Sequence, residues 1–398
     1  MKQPRLIFIF ITVVLDVIGI GIMIPSLPEV IRRFSDSQQD MTHLYGYFIS
    51  IFSVMQFLAS PLLGVISDIY GRRSILLTSL FVSALDYIVM AISPNLTVLF
   101  ISRMITGLTS ASMTVAMAYI TDISKLEDRS KNYGLIGAGF GLGFILGPAI
   151  GGLLGKYNPL LPFYAAALMN FLNFLFGLFI LPESLPPEKR SKFEWSKINP
   201  MKSLFKIFSL PGLFTLLVVY FLFQLAGQTH PSIWTLYTQA RFGWGVTEVG
   251  TSLAFVGLLS AISQGYLTRI LIPKWGELNT VLWSLIGFTV AFVLYGLAYE
   301  GWMVYAILFT SSIFWISGPA LSSIISKRVE STEQGELQGS LVSLMSLASI
   351  ISPIVTTQLF GYFTSDNFEP KIYGAPYFFA AVVSFICLIL FYKLHRTA

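Results

Sequence analysis

Apolar residues run along this chain in long unbroken blocks, and the polar positions gather in short clusters between them. Cut at charged or Pro/Gly/Asn clusters, the blocks fall near 6–28, 44–66, 74–93, 96–119, 133–155 and 161–181. After a polar stretch they resume near 211–230, 247–272, 279–299, 302–326, 338–362 and 375–392. Each approaches the about 20 residues that carry a helix across a hydrocarbon core, and none shows the strict alternation of ~10-residue barrel strands. The pattern predicts an all-α polytopic membrane protein with twelve transmembrane helices. The first block follows Lys2 and Arg5 as a signal peptide would. It is too long for such a peptide's apolar core, contains Asp16 and Pro25, and offers no small-residue cleavage site, so it reads as the first span.

The longest polar stretch runs from Glu183 to about Lys206 and contains Pro186, Pro187 and Pro200. It predicts an N-terminal six-helix bundle over 1–182, a cytoplasmic linker over 183–210 with a short amphipathic helix around Trp195–Phe208, and a C-terminal six-helix bundle over 211–398. The halves look related. Gly71 and Gly276, Gly134 and Gly339, Pro148 and Pro353, and Asp128 and Glu333 all stand 205 residues apart. One match would be chance; four at a single offset argue for a duplication, the plan of transporters whose two bundles rock around a midplane site.

Composition sharpens the class. Of the 398 residues 55% are hydrophobic and 11% charged, against about 25% charged in soluble domains, and the mean hydropathy is +0.73. This excludes a cytosolic enzyme, a disordered chain and a nucleic-acid binder. The net charge of +5 is a matter of orientation. With both termini cytoplasmic, only Arg32, Arg33, Lys156, Arg241 and Lys371 of the 25 Lys and Arg residues fall on the opposite face and Arg103 within a span, as the positive-inside rule requires. Cys387 stands alone, and His43, His230 and His395 are too scattered for a metal site. No metal or cofactor is expected.

Candidate chemistry lies where polarity enters the spans. Asp16 and Asp86 are the acids set well inside apolar blocks, and Arg103 is the base. Ionisable groups at that depth are costly and mark ion or substrate pathways. They allow one carboxylate–guanidinium pair with a carboxylate to spare. Asp16 is expected beside Arg103, which makes Asp86 the better candidate for an exchangeable proton. The bland alternative is a structural ion pair. Gln56, Asn170, Asn173, Gln224, Gln228 and Gln264, with Trp234 and abundant Phe, suit a pathway for a bulky amphipathic ligand, although each amide could equally serve as an interhelical hydrogen bond. Gly143, Gly147-Pro148 and Gly151-Gly152 place small residues along one helix, which spacing alone reads as tight packing. The loop from Gly64 through Asp68 and Gly71 to Arg72-Arg73 predicts a tight turn, with Asp68 free to cap a helix and Arg72 able to meet Asp122.

These segments together resemble the major facilitator superfamily, in particular its twelve-helix drug/proton antiporters and, nearest of all, the tetracycline efflux proteins. The likeness runs essentially end to end. Leu15-Asp16 through Gly19 and Gly21 resembles the first-helix motif, Gly64 to Arg73 the signature loop, Arg103 to Gly107 the fourth-helix motif, and Gly143 to Gly152 the antiporter motif. Tyr119 to Ile123, Leu181-Pro-Glu-Ser and Gly335 to Ser340 are also similar to tetracycline-efflux segments. The resemblance implies proton coupling through Asp16 and Arg103, a ligand path with Asp86 and Gln56, and a cytoplasmic latch of Asp68, Arg72 and Asp122. It also implies an acid in helix nine and a histidine in helix eight, where this chain has Phe288 and Ser260. That sets tetracycline itself in question as the cargo and leaves coupling to Asp16 and Asp86, because the second half offers no ionisable residue deep in a span.

The expectation is therefore a monomeric, proton-coupled exporter of a small amphipathic organic compound or drug in a bacterial inner membrane. The alternative is a specific metabolite or siderophore transporter on the same frame, working by export or symport. A membrane enzyme is disfavoured because no histidine stands near a buried acid.

Overall fold

The computed structural model describes residues 6–110, 112–125, 128–190, 213–330 and 334–397, and among these every regular element is helical. The first six membrane-length helices are α1 (Leu6–Arg32), α2 (Gln38–Tyr70), α3 (Arg72–Ile92), α4 (Leu96–Ile123), α5 (Asn132–Tyr157) and α6 (Leu161–Phe179). Two 14-residue helices follow, α7 (Phe214–Gly227) and α8 (Thr229–Phe242). The chain then forms α9 (Val246–Trp275), α10 (Glu277–Leu297), α11 (Gly301–Ser326), α12 (Leu337–Phe363) and α13 (Ala375–Leu394). Eleven described helices are thus long and apolar enough to cross a membrane, and the twelfth expected span is the broken pair α7–α8. The predicted helix around Trp195–Phe208, and Glu333, lie outside the described residues.

The break corrects the sequence reading of this region. The apolar block ends at the polar run Gln228-Thr229-His230-Pro231, yet the chain stays helical through Gln228 (φ −70°, ψ −12°) and continues to Phe242. Pro231 is tolerated because it falls in the first turn of α8, where backbone N–H groups have no intrahelical acceptor to lose. His230 therefore stands inside a membrane-length stretch and not at its end.

The chain divides into two compact units: Met1–Phe34, Ile51–Asn199 and Gly245–Gly257 form one, and Ser35–Ser50, Pro200–Trp244 and Leu258–Ala398 the other. In the first, α1 lies on α5 at backbone contact. A β-carbon on Gly143 would sit 2.6 Å from Val17 Cγ1, one on Gly147 2.7 Å from Gly21 Cα, and one on Gly151 2.8 Å from Ile22 C. In lipid, where the hydrophobic effect no longer drives helices together, such close approach supplies the attraction. The apolar core beside it includes Ile9, Val13, Leu76, Tyr119 and Ile120. The second unit has its own core, with Leu217, Leu285, Leu321, Leu341 and Phe391.

The internal duplication recurs in geometry. Gly71 (φ +97°, ψ 151°) and Gly276 (φ +75°, ψ 157°) adopt the same positive-φ conformation, each at the start of the next helix, although the surrounding loop motif has decayed in the second half. The packing of small residues repeats as well. In one unit a β-carbon on Gly250 would meet Pro148 O and lie 2.8 Å from Gly152 Cα; in the other, one on Gly46 would meet Thr357 Oγ1 and lie 2.9 Å from Pro353 O. Arg72 pairs with Asp122 at 3.2 Å, and 205 positions further along each, Glu277 pairs with Lys327 at 2.8 Å. The pairing survives the duplication with its charges exchanged.

Candidate functional site

The membrane-embedded charges gather in the first unit. Asp86 on α3 and Arg103 on α4 are 2% and 8% exposed, and Asp16 on α1 is 9% exposed. Arg103 Nη1 donates to Asp86 Oδ2 at 3.1 Å, and Ser102 Oγ donates to Asp86 Oδ1 at 2.6 Å. The guanidinium also lies 4.3 Å from the centroid of the Phe52 ring on α2, a contact worth about 0.5–2 kcal/mol. Asp16, Asp86 and Arg103 all bear electrostatically on the buried Tyr87 hydroxyl, so three charged groups share one neighbourhood.

This arrangement removes the ground for ranking Asp86 above Asp16. That ranking takes Asp86 as the acid without a guanidinium. The structure gives Asp86 a guanidinium and a hydroxyl. The reason is local: Ser102 and Arg103 are consecutive on α4, and α4 packs beside α3, so both donors reach one carboxylate. Ser102 and Phe52 were missed in the sequence, since neither residue type stands out in an apolar helix.

A second cluster stands where α2 turns into α3. Arg72 Nη2 meets Asp68 Oδ1 at 2.5 Å, Nη1 donates to Ser67 Oγ at 2.5 Å, and Nε donates to Asp122 Oδ2 at 3.2 Å. Asp122 Oδ2 also accepts from Ser184 Oγ at 2.9 Å. The Arg72 side chain is only 11% exposed. Two details differ from expectation. Helix α2 runs unbroken through Gly64, and a β-carbon there would meet nothing within 4 Å, so the turn is confined to Gly71. The cap of α3 is Glu183, not Asp68. Glu183 Oε1 accepts from the backbone N–H of Arg72 at 2.9 Å, Ser184 at 3.0 Å and Leu185 at 3.1 Å. A carboxylate at a helix N-terminus answers unpaired N–H groups and the helix dipole. Glu183 comes from over a hundred residues away, so no local pattern announces it. Arg73 in turn donates to the carbonyls of Gly177 and Leu178 at the end of α6.

The amides divide. Gln56 Nε2 donates to Ser110 Oγ at 3.1 Å, Asn173 Nδ2 to Thr12 O at 2.8 Å, and Gln228 Nε2 to Ser349 Oγ at 3.0 Å. Asn170 Nδ2 bonds its own helix at Ala166 O, 3.2 Å away. Asn170 and Asn173 are wholly buried, as is Trp234 at 1% exposure, so these three sit within packing and face no open space in this conformation. Gln264 is exposed on a π-helical turn, Ser263–Leu267, and Gln224 is half-buried. Gly143, Gly147 and Gly151 of α5 have the packing role already described, while Gly152 faces Gly250. Pro148 lies within an unbroken helix.

Residues 9–353 match the family described as the Major Facilitator Superfamily. The chain is 38% identical over 359 residues to the tetracycline resistance protein, class C, of Escherichia coli, covering 90% of both chains. It is 38% identical over 360 residues to the class G protein of Vibrio anguillarum, covering 90% of this chain and 91% of that one. Among solved structures, that of the human organic anion transporter MFSD10 (TETRAN) is similar with a TM-score of 0.71 at 26% identity, over 98% of this chain and 100% of that one. The nucleoside transporter NupG shares the fold with a TM-score of 0.80 at 14% identity, over 98% and 99%.

Proposed function

Because the chain belongs to the major facilitator superfamily, we propose that it is a secondary active transporter that expels a small amphipathic organic compound of drug type in exchange for protons. The observation that carries this reading is the Asp86–Ser102–Arg103 group with Asp16 in its neighbourhood. An exporter of this kind needs a carboxylate that takes a proton in one state and loses it in the other, and charges at membrane depth have few other uses. The cargo class follows from relatives named for tetracycline resistance.

In this mechanism a proton reaching Asp16 or Asp86 cancels the charge that Arg103 answers, freeing the guanidinium to change partner. The two halves, 1–182 and 211–398, joined through 183–210, are the moving parts of alternating access. Asp68, Arg72 and Asp122, extended by Ser67 and Ser184, are the latch that must open on each cycle. Gln56, Gln224, Gln228 and Gln264 are the polar groups of the ligand path. The basic excess supports a topology with both termini in the cytoplasm of a bacterial inner membrane, in which the transporter works as a monomer. Protons and cargo are its partners, and no cofactor enters the cycle.

A thermal-stabilisation screen of the purified protein against amphipathic drugs, tetracycline among them, tests the cargo class. A cargo that binds the native state at about a hundred times its Kd adds about 2.7 kcal/mol of stability, enough to raise the melting temperature by several degrees. Asp86→Asn is expected to weaken that shift. Stabilisation by polar metabolites alone would favour the metabolite-transporter reading instead.

A further inference from the structure

Along α7–α13 the described acidic and basic residues stand within two turns of a joining segment, with one exception. His230 lies 16 residues after the start of α7 and 12 before the end of α8, at the break between them. Polar side chains left unsatisfied at membrane depth mark the ion and substrate sites of many transporters.

Those groups are present. His230 Nε2, Thr229 Oγ1 and Tyr377 Oη are all buried without a hydrogen-bond partner among the described residues. Thr229 and Tyr377 are wholly buried, and His230 is half-buried. The imidazole is walled by aromatic rings, with centroids 4.3 Å from Trp234, 5.4 Å from Tyr295 on α10 and 6.2 Å from Tyr377 on α13. Tyr237 is otherwise engaged, donating to Tyr295 O at 2.6 Å. The titratable groups facing the imidazole are thus the phenols of Tyr295 and Tyr377. From α12 the nearby polar partner is Ser349, which holds Gln228 and does not titrate. No carboxylate, guanidinium or ammonium group of the described residues bears on the ring.

We propose that His230 is a proton-binding site of the second half, loaded when water reaches the ring and emptied when the aromatic wall is closed as it is here. A protonated imidazole donates from both nitrogens, and Tyr377, whose ring lies against it, brings an unpartnered hydroxyl oxygen to the cluster. The faces of Trp234 and the tyrosines attract a cation, while the lack of a counter-charge lets the proton leave once water is excluded. The proposal rests on the proton-exchange reading above and adds a site to it.

The test is a pH titration of tryptophan emission on the purified full chain, from about pH 8 to pH 4, spanning the range in which histidine charges. A protonated imidazole stacked on Trp234 quenches it, so the wild type is expected to show an acid step that His230→Gln and Trp234→Phe both lose. His230→Phe, which keeps a flat ring in the aromatic wall, serves as a second non-titrating variant should the glutamine destabilise the cluster. A wild type without the step, or a step that survives in either His230 variant, overturns the proposal. Substrate-evoked proton release measured in parallel separates the two claims. A wild type that titrates but releases no protons defeats the antiport reading and leaves His230 a proton site.

Discussion

Replacing Arg103 with alanine is expected to silence transport and to cost the folded protein about 3–5 kcal/mol, the penalty of leaving a buried carboxylate without its partner. Asp86 is 2% exposed, and of the two donors that hold it only Ser102 would remain. The alanine also strips the cation from the face of Phe52. Arg103→Lys keeps the charge but not the planar fork that reaches Asp86 and stacks on the ring, so it should recover stability in part and transport hardly at all. The double variant Asp86→Asn/Arg103→Gln removes both charges. Most of the stability should return, because the pair as a whole is not a large stabiliser, while transport stays lost. Melting temperatures of the purified variants, with uptake into inverted vesicles, separate the two effects. An Arg103→Ala protein with wild-type melting and wild-type uptake would show the pair to be ornamental to both.

The second large effect is expected at Arg72. Its guanidinium holds Asp68, Ser67 and Asp122 at once, and charge-assisted bonds of this kind are worth about 1.5–3 kcal/mol. If the cluster forms in one state of the cycle and opens in the other, its loss moves their balance by about ten- to a hundredfold. Arg72→Ala should therefore transport poorly yet express normally, since Glu183 caps α3 through backbone N–H groups that the substitution leaves in place. Labelling of single cysteines introduced along α2 and α4 reads the shift. Unchanged labelling in Arg72→Ala would remove the latch from the mechanism.

Much of this architecture can be read from the sequence because a membrane imposes simple rules. Block length gives the spans, lysine and arginine give the sidedness, and any charge inside a block announces itself. Asp16, Asp86 and Arg103 stood out for that reason. What failed has physical causes. That Arg103 reaches Asp86 depends on α4 packing beside α3, and periodicity carries no such information. Apolar-block reading ends this span near position 230 because it weighs polarity and not helical continuity, and so it sets His230 at the end of a span that in fact runs on to Phe242. Trp234 suits a ligand path by residue type, and in this conformation its ring lies against His230. Glu183 reads in the sequence as the start of the polar linker and part of a familiar segment, because a cap contributed from 111 residues away leaves no local trace. The duplication was legible at Gly71 and Gly276, while the exchange of charges from Arg72–Asp122 to Glu277–Lys327 conceals itself from any comparison of residue types.

Proton exchange is the central claim, and substrate-evoked proton release is its most direct measure. The purified protein in weakly buffered proteoliposomes is mixed with the cargo found by the stabilisation screen, and the pH change is recorded. The wild type is expected to release protons on binding. Asp16→Asn/Asp86→Asn is expected to lose most of that release, keeping only the part that His230 carries. A wild type that binds cargo without releasing protons, or a double variant that releases as many as the wild type, would contradict the account.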